Sequence, residues 1–285
     1  MNSLIDYISS LFSEKILSAT PLSGGDISSA YLLQTPAKNY FLKVNDKLFA
    51  LEMFRAEQKG LQAIEMTETI AVPRVHLVDT HHGKSYLLME FIESKRPDAP
   101  DYQRLGIQLA KLHQCTQYDF GFPTDNFIGS LPQRNHQHTD WAEFYWLQRI
   151  LPQLQLALEN RLIASQKIPS EEKAIAVLND IYGNVKPSLL HGDLWGGNFL
   201  IATDGTPYLI DPAAYYGHSV VDLAMSLLFG GFGASFYDAY HENIPKSENH
   251  TQQIELYQLY YLLVHLNLFG SGYYSSVSSI VKKYF

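Results

Sequence analysis

The chain is poor in the features that mark several common classes of protein. Its 285 residues contain a single cysteine, Cys115, which excludes an internal disulfide and fits a reducing compartment. The most apolar late stretch, Tyr260–Phe269, is too short to span a bilayer and contains His265 and Asn267. The N-terminus, Met1–Asp6, lacks the basic and apolar parts of a signal peptide. We therefore expect a cytoplasmic protein without a membrane partner.

Basic residues are also scarce. The 21 lysines and arginines stand against 29 acidic residues, which gives a formal net charge of −8. A nucleic-acid-binding surface needs a basic stripe, so no nucleic-acid partner is expected. The histidines are scattered without cysteine or acidic partners at metal spacing, which argues against a zinc site. The hydrophobic content of 46%, in contrast, suits one or two domains with a sizeable core.

The stretch Leu189–Pro212 carries the polar residues whose spacing is most informative. Between its apolar segments it holds Asp193 and Asn198 on a short glycine-containing loop, and Asp211 further on. Phosphoryl transfer from ATP needs an Asp that accepts the proton of the attacking hydroxyl, and an Asn and a second Asp that hold Mg²⁺ on the phosphates. The spacing therefore predicts such a site, with Asp193 as the catalytic base and Asn198 and Asp211 as metal ligands.

A hairpin is predicted to bring two of these side chains together. Asp204 and Gly205 form a strong turn signal midway between Asn198 and Asp211. A two-residue turn would place Asn198 opposite Asp211. Pro207 leaves open a register shifted by one residue, with a longer loop.

The segment His191–Asn198 has the spacing of the protein-kinase catalytic loop, with one change. Gly192 occupies the position of the arginine that receives a phosphorylated activation loop. Asp211-Pro212-Ala213 replaces Asp-Phe-Gly, and no Ala-Pro-Glu follows. The ordinary alternative is a polar loop that merely contains acids, but the full spacing between apolar strands argues against it. The pattern indicates a kinase-like site outside the ordinary protein kinases.

Upstream residues fit the binding of ATP phosphates. Gly24 and Gly25 lie in a small-residue turn between two predicted strands, where backbone N–H groups can approach phosphates. Lys43 lies inside an apolar strand, like the lysine that contacts the α- and β-phosphates of ATP in kinases. Taken singly, a Gly-Gly pair is more often a plain hairpin turn, and a lysine in a strand more often faces solvent.

Two further segments complete the predicted ATP site. A helix is expected over Phe49–Glu65, and Glu57 falls on its apolar face, where it can pair with Lys43. The end of a second predicted strand corresponds to a kinase hinge, whose backbone hydrogen-bonds adenine. The residues expected to meet adenine are Met89, Glu90 and Phe91.

After a polar break near residue 93 the chain is predicted to be mostly helical, which suggests domains 1–92 and 93–285. Residues 119–133 have the character of a loop, and a long helix is expected from Asp140. Asp222 opens another apolar helix. It is expected to cap that helix, to anchor the backbone of the catalytic loop as in kinase-like folds, or to do both.

Together these residues resemble the fructosamine kinase (ketosamine-3-kinase) family, within the protein-kinase-like superfamily that includes aminoglycoside and choline kinases. The resemblance covers essentially the whole chain. It is carried by motifs within residues 41–45, 54–61, 125–133, 141–145, 191–198 and 211–218. It implies an α+β, protein-kinase-like two-lobe fold, with a small antiparallel N-lobe sheet, one main N-lobe helix and a larger, mainly helical C-lobe.

The resemblance also implies an activity. The enzyme would use ATP and Mg²⁺ to phosphorylate the sugar 3-hydroxyl of a ketosamine, free or protein-linked, and the unstable product would release the amine. Asp125, Asn126 and Trp195 are implied to lie near the sugar. Two alternatives remain open at this point: a kinase for another acceptor, such as an aminoglycoside or choline, and a non-catalytic nucleotide-binding regulator. The oligomeric state is not indicated.

Overall fold

A computed structural model describes residues 2–12, 15–22, 27–165 and 168–285. Within these residues the α-helices are α1 Asn2–Phe12, α2 Ala50–Glu65, α3 Ala99–His113, α4 Trp141–Tyr145, α5 Leu151–Glu159, α6 Glu171–Tyr182, α7 Val220–Leu228, α8 Ala234–Asn243, α9 His250–Phe269 and α10 Tyr274–Tyr284. The strands are β1 Ser18–Leu22, β2 Ser29–Gln34, β3 Asn39–Asn45, β4 Val75–His81, β5 Lys84–Glu90, β6 Ser94–Lys95, β7 Asn126–Ile128, β8 Leu131–Gln133, β9 Ser188–Leu190, β10 Phe199–Ala202, β11 Pro207–Leu209 and β12 Tyr215–Gly217.

The first five strands form one antiparallel sheet in the order β1-β2-β3-β5-β4. The two-residue period of β3 separates its side chains between the two faces of the sheet. Leu42 and Val44 pack with Leu4 and Ile8 of α1 on one face. The alternate residues, which include Lys43, point to the opposite face, where Phe54 of α2 packs. The sheet therefore directs Lys43 toward the helix that carries Glu57.

The rest of the described chain is mainly helical and is built around α9. This helix is apolar on most of its circumference, as expected for a helix at the centre of a core. A second core cluster contains Leu61 and Ile64 of α2 together with Leu105 of α3 and Leu209 of β11. Apolar packing thus continues across the boundary predicted at residue 93, and the division into 1–92 and 93–285 remains an interpretation. No helix of the described residues is long and apolar enough to cross a membrane.

Several predicted element boundaries differ from the observed ones. The region 119–133, predicted to be a loop, contains the β7–β8 hairpin. Its strands have three residues each, too few for alternation to be recognised in the sequence. The helix expected from Asp140 is interrupted by a π-helical segment, Trp146–Ile150, before it continues as α5. The side chain of Asp140 caps its first turn by accepting from the Glu143 N–H.

Candidate active site

The loop His191–Asn198 connects β9 to β10, and its backbone is held by buried side chains. The carboxylate of Asp222 accepts hydrogen bonds from the backbone N–H groups of His191 and Gly192, both at 2.8 Å. The hydroxyl of Tyr261 donates to the Gly192 carbonyl at 2.8 Å. Of the two roles expected for Asp222, the structure confirms the anchoring role. Its side chain does not cap α7, which begins at Val220.

Gly192 is required by the shape of this loop. Its φ of +82° lies in the left-handed region, which disfavours residues with a Cβ. A Cβ added here would collide with the Ala213 carbonyl oxygen. The two segments are also joined by a 2.9 Å bond from the Ala213 N–H to the His191 carbonyl. The close approach explains physically why no arginine occupies this position.

His113 completes the anchor, and the sequence did not reveal it. Its ring is fully buried between Asp222, with Nε2 3.1 Å from the carboxylate, and Tyr240, with Nδ1 2.8 Å from the hydroxyl. Burial by itself would raise the pKa of Asp222, but His113, His191 and the Gly192 N–H outweigh it and lower the pKa. His113 ends an amphipathic helix 109 positions before Asp222, so no local pattern marks it.

Asp193 and Asn198 are in direct contact. The Asn198 amide Nδ2 donates to the Asp193 backbone carbonyl at 2.8 Å and to its carboxylate at 3.1 Å. Burial raises the pKa of Asp193 to about 7, with a further contribution from the nearby charge of Asp211, against the opposing bond from Asn198. A carboxyl group with this pKa is matched to accept a proton near neutral pH.

The hairpin that leads to Asp211 is shifted by one residue from the register of a two-residue turn. In the β10–β11 hairpin Phe199 faces Leu209, and Asn198 pairs with Ile210, whose N–H donates to the Asn198 carbonyl at 3.1 Å. The turn has three residues rather than two and ends at Gly205, with φ +87°. The shifted register that Pro207 left open is therefore the observed one. Asp211 follows the strand with a left-handed φ of +55°.

Lys43 links the two sides of the cleft. Its Nζ lies 2.8 Å from Glu57 Oε1, which confirms the predicted ion pair, and it also bonds the carboxylate of Asp211. Burial by itself would lower the pKa of Lys43, but the charges of Asp211 and Glu57 outweigh it and raise the pKa. For Asp211 the effect of burial is likewise outweighed, here by Lys43, and the pKa is lowered. Both groups are therefore charged at neutral pH.

The structure describes only some of the other residues that are predicted to contact ATP. Gly24 and Gly25 lie outside the described residues. Ile27, the first described residue after them, accepts a hydrogen bond from the Asn45 amide at 3.1 Å. In the hinge, the backbone N–H of Glu90 already donates to the Arg74 carbonyl at 2.9 Å. Adenine binding by Met89, Glu90 and Phe91 stays a prediction, and it must use other backbone groups.

The three residues predicted near the sugar have different surroundings. Asp125 accepts from the Asn135 N–H at 2.8 Å, and the Asn126 amide donates to the Ala214 carbonyl at 2.8 Å. Asn126 is only 6% exposed. Trp195, two residues after Asp193 in the chain, is 40% exposed, and its ring lies against Gly197. Contact with a sugar stays a prediction for all three; Asp125 and Trp195 are exposed, and Trp195 presents an aromatic surface.

The donor set of the cleft fits a magnesium ion. Asn198 directs its Nδ2 to Asp193, and among the described residues no hydrogen bond reaches its Oδ1. The side chain of Asp211 is 41% exposed and presents a second carboxylate oxygen beside the one that Lys43 contacts. Mg²⁺ binds oxygen ligands and usually takes one or two carboxylates together with substrate phosphates. Asn198 and Asp211 therefore supply ligands of the right kind.

Known proteins resemble this chain over its whole length. The family model for fructosamine kinase matches residues 1–285. A chloroplastic protein-ribulosamine 3-kinase of Arabidopsis thaliana is 41% identical over 268 residues, covering 92% of this chain and 81% of that protein. The crystal structure of a candidate fructosamine-3-kinase from Thermobifida fusca YX-ER1 is 32% identical, with a TM-score of 0.88, covering 99% of this chain and 98% of that one.

A more distant structure bears on the fold alone. Aminoglycoside phosphotransferase APH(4)-Ia is 16% identical and superposes with a TM-score of 0.64, covering 99% of this chain and 98% of that one. This similarity confirms the predicted α+β, protein-kinase-like fold, with its antiparallel sheet and mainly helical remainder.

Proposed function

Since the chain belongs to the fructosamine kinase family, we propose that it uses ATP and Mg²⁺ to phosphorylate the sugar 3-hydroxyl of ketosamines. It is a phosphotransferase that acts on a sugar hydroxyl. Phosphorylation at this position makes the adduct prone to eliminate, which releases the amine and reverses glycation. The names of the relatives point to ribulosamine and fructosamine adducts as the substrate class.

The observation that carries the proposal is the convergence of five side chains from separate parts of the chain. Lys43 of the sheet meets Glu57 of α2 and Asp211 of the hairpin, and Asn198 contacts Asp193. This combination supports the division into an N-lobe, 1–92, and a C-lobe, 93–285, with ATP between them. It also argues against a non-catalytic regulator, because each group that the chemistry needs is present.

In the proposed reaction the chain's own groups bind, orient and accept a proton. Glu57 orients Lys43, whose ammonium group contacts the phosphates, and Asp193 accepts the proton of the sugar hydroxyl as that oxygen attacks. The raised pKa of Asp193 suits proton acceptance near neutral pH. Asn198 and Asp211 would hold Mg²⁺, which when bound neutralises charge on the phosphates. Trp195 offers an aromatic face on which the apolar side of a sugar ring can stack.

Kinases of aminoglycosides and choline are the alternative, and the comparisons do not favour it. The identity to APH(4)-Ia is 16%, against 41% to the ribulosamine kinase.

The proposal is tested by measuring ATP consumption with Mg²⁺ over a panel of acceptors. The panel contains small fructosamines and ribulosamines, a glycated protein, aminoglycosides and choline. We expect turnover of ketosamines, with phosphate on the sugar 3-oxygen by NMR, and no turnover of the other two classes. A folded chain that phosphorylates an aminoglycoside or choline but no ketosamine would overturn the proposal.

A further inference from the structure

A buried chain of hydrogen bonds ends on the backbone just after Asp211. The hydroxyl of Tyr260, on α9, donates to Gln133 Oε1 at 2.6 Å. The Gln133 amide donates to Asn126 Oδ1 at 2.7 Å and to the Ala213 carbonyl at 3.2 Å. Asn126 in turn donates to the Ala214 carbonyl at 2.8 Å. We call these three side chains, Tyr260, Gln133 and Asn126, the amide relay.

The relay has a fixed direction. The Ala213 carbonyl can only accept, so the Gln133 nitrogen must face it, and the Gln133 oxygen is left to accept from the Tyr260 hydroxyl. Gln133 in turn occupies the oxygen of Asn126, so the Asn126 nitrogen must face Ala214. All three side chains are at most 6% exposed. Buried amides that are satisfied in this way rigidify their surroundings, and replacing one leaves several partners unpaired.

The carbonyls that the relay holds belong to the second and third residues after Asp211. On the other side of the same segment, the Ala213 N–H bonds the His191 carbonyl, and Tyr215 of β12 pairs with Leu190. The segment is therefore fixed between the relay and the catalytic loop. Asp211 itself has a left-handed φ, a conformation that persists only when the surrounding structure enforces it.

From this arrangement we propose that Asn126, Gln133 and Tyr260 are positioning residues for Asp211 as a metal ligand, an inference that rests on the proposed function. The relay would hold the Asp211 carboxylate in place in the absence of any modification. In protein kinases an arginine at the position of Gly192 lets phosphorylation control this region. Here neutral amides take over the support, so the metal site is always assembled. Asn126 thus acts through Asp211 rather than on the sugar.

The test measures binding of a non-hydrolysable ATP analogue to the full chain by calorimetry, as Mg²⁺ is varied and without any acceptor. In Asn126→Asp the donor to Ala214 is lost and a carboxylate oxygen faces the Ala214 carbonyl. We expect the Mg²⁺ concentration for half-maximal binding to rise at least about tenfold, the range seen when groups supporting metal ligands are removed. The KM for the ketosamine acceptor should stay within about twofold of wild type.

The matched control is Asn135→Asp. Asn135 is 1% exposed and follows the same hairpin, but its amide bonds the Thr124 carbonyl and the Arg149 guanidinium rather than the segment after Asp211. Its Mg²⁺ requirement should equal that of wild type. If Asn126→Asp does not fold, Tyr260→Phe decides, because it removes one hydroxyl and keeps the ring; we expect a two- to threefold rise in the Mg²⁺ requirement.

Two outcomes would overturn the inference. One is a Mg²⁺ requirement that stays at the wild-type value in folded Asn126→Asp, or in Tyr260→Phe where that variant decides. The other is a tenfold higher KM for the ketosamine acceptor, which would make Asn126 a sugar contact. Failure of the proposed function is distinguished because it would appear in the wild-type chain, as an absence of Mg²⁺-dependent nucleotide binding or of ketosamine turnover.

Discussion

Two regions of the molecule meet at the catalytic loop, and they are built from different chemistry. The cleft residues are Lys43, Glu57, Asp193, Asn198 and Asp211. Four of the five are ionisable, and 41% of the Asp211 side chain is exposed. The supporting layer behind them consists of His113, Asp222, Tyr261 and the amide relay, and all of its side chains are buried. Apart from the carboxylate of Asp222 and the imidazole of His113, its polar groups are amides and hydroxyls.

The difference between the regions follows from what each must do. Groups that bind phosphate and accept protons need charge and access to ligand. Groups that hold backbone need only fixed hydrogen bonds, and in a buried site neutral donors avoid the cost of desolvating a charge. Substitutions in the cleft should therefore reduce turnover with little loss of stability. Substitutions in the supporting layer should lower both.

The largest effect is expected for Asp193→Asn in the cleft. The amide cannot accept the proton of the acceptor hydroxyl, so kcat should fall by about 10³-fold, equivalent to about 4 kcal/mol in the barrier. Nucleotide affinity and the midpoint of urea unfolding should match wild type. Rapid-quench assays with a ketosamine measure kcat, and calorimetry with an ATP analogue measures nucleotide affinity. Full activity in this variant would remove Asp193 from its proposed role.

The next largest effect is expected for Asp222→Ala in the supporting layer. Removing the carboxylate leaves the N–H groups of His191 and Gly192 and the ring of His113 without their partner. The free energy of unfolding should fall by about 3 kcal/mol, and kcat should fall with it. Urea unfolding and kinetics on the same preparation test whether stability and kcat fall together. A variant with wild-type stability and reduced kcat would assign Asp222 to the cleft instead.

Gly192→Ala probes the contact between the two regions. The left-handed φ and the nearby Ala213 carbonyl leave no room for a methyl group, so the loop must shift. We expect a loss of about 2 kcal/mol in stability, together with reduced kcat. Gly83→Ala, at a glycine with a similar φ of +76° whose Cβ would meet nothing within 4 Å, is the matched control for backbone strain alone. Equal losses in both variants would contradict a steric role for Ala213.

The cleft could be predicted because its groups are recognisable from local spacing. Asp193 and Asn198 lie five positions apart, and Lys43 and Glu57 stand out as charges on an apolar strand and an apolar helix face. The same reasoning predicts the β10–β11 hairpin but leaves two registers open, and the one shifted by one residue is observed. Turn length depends on the conformation of Gly205, which the letters Asp-Gly do not determine.

The supporting layer could not be predicted in this way. Asn126 and Ala214 are 88 positions apart, and Gln133 and Tyr260 are 127 apart. The motif predicts that Asn126 lies near the sugar. In the structure its amide donates to the Ala214 carbonyl inside the protein. Neutral amides and tyrosines have no spacing rule, and the strands that carry two of them have three residues each. Only the tertiary structure shows what they hold.

The smallest expected effect concerns His218, a titratable residue at the edge of the supporting layer. Its Nδ1 lies 2.6 Å from the Tyr257 hydroxyl. Burial, with the nearby charges of His113 and His250, lowers the pKa of His218 from 6.5 to about 3. In the unfolded chain the ring takes up a proton below pH 6.5, while in the folded chain it stays neutral until about pH 3. Stability should therefore fall as the pH drops through this window.

His218→Gln keeps a neutral hydrogen-bonding side chain but cannot take up that proton. Between pH 7.5 and 5.5 wild type should lose about 1 kcal/mol more stability than the variant, because one proton contributes at most ~1.4 kcal/mol per pH unit. Urea unfolding at the two pH values measures the difference. Equal losses would mean that His218 is protonated in the folded chain. The interior around His218 would then tolerate a positive charge, as the cleft does.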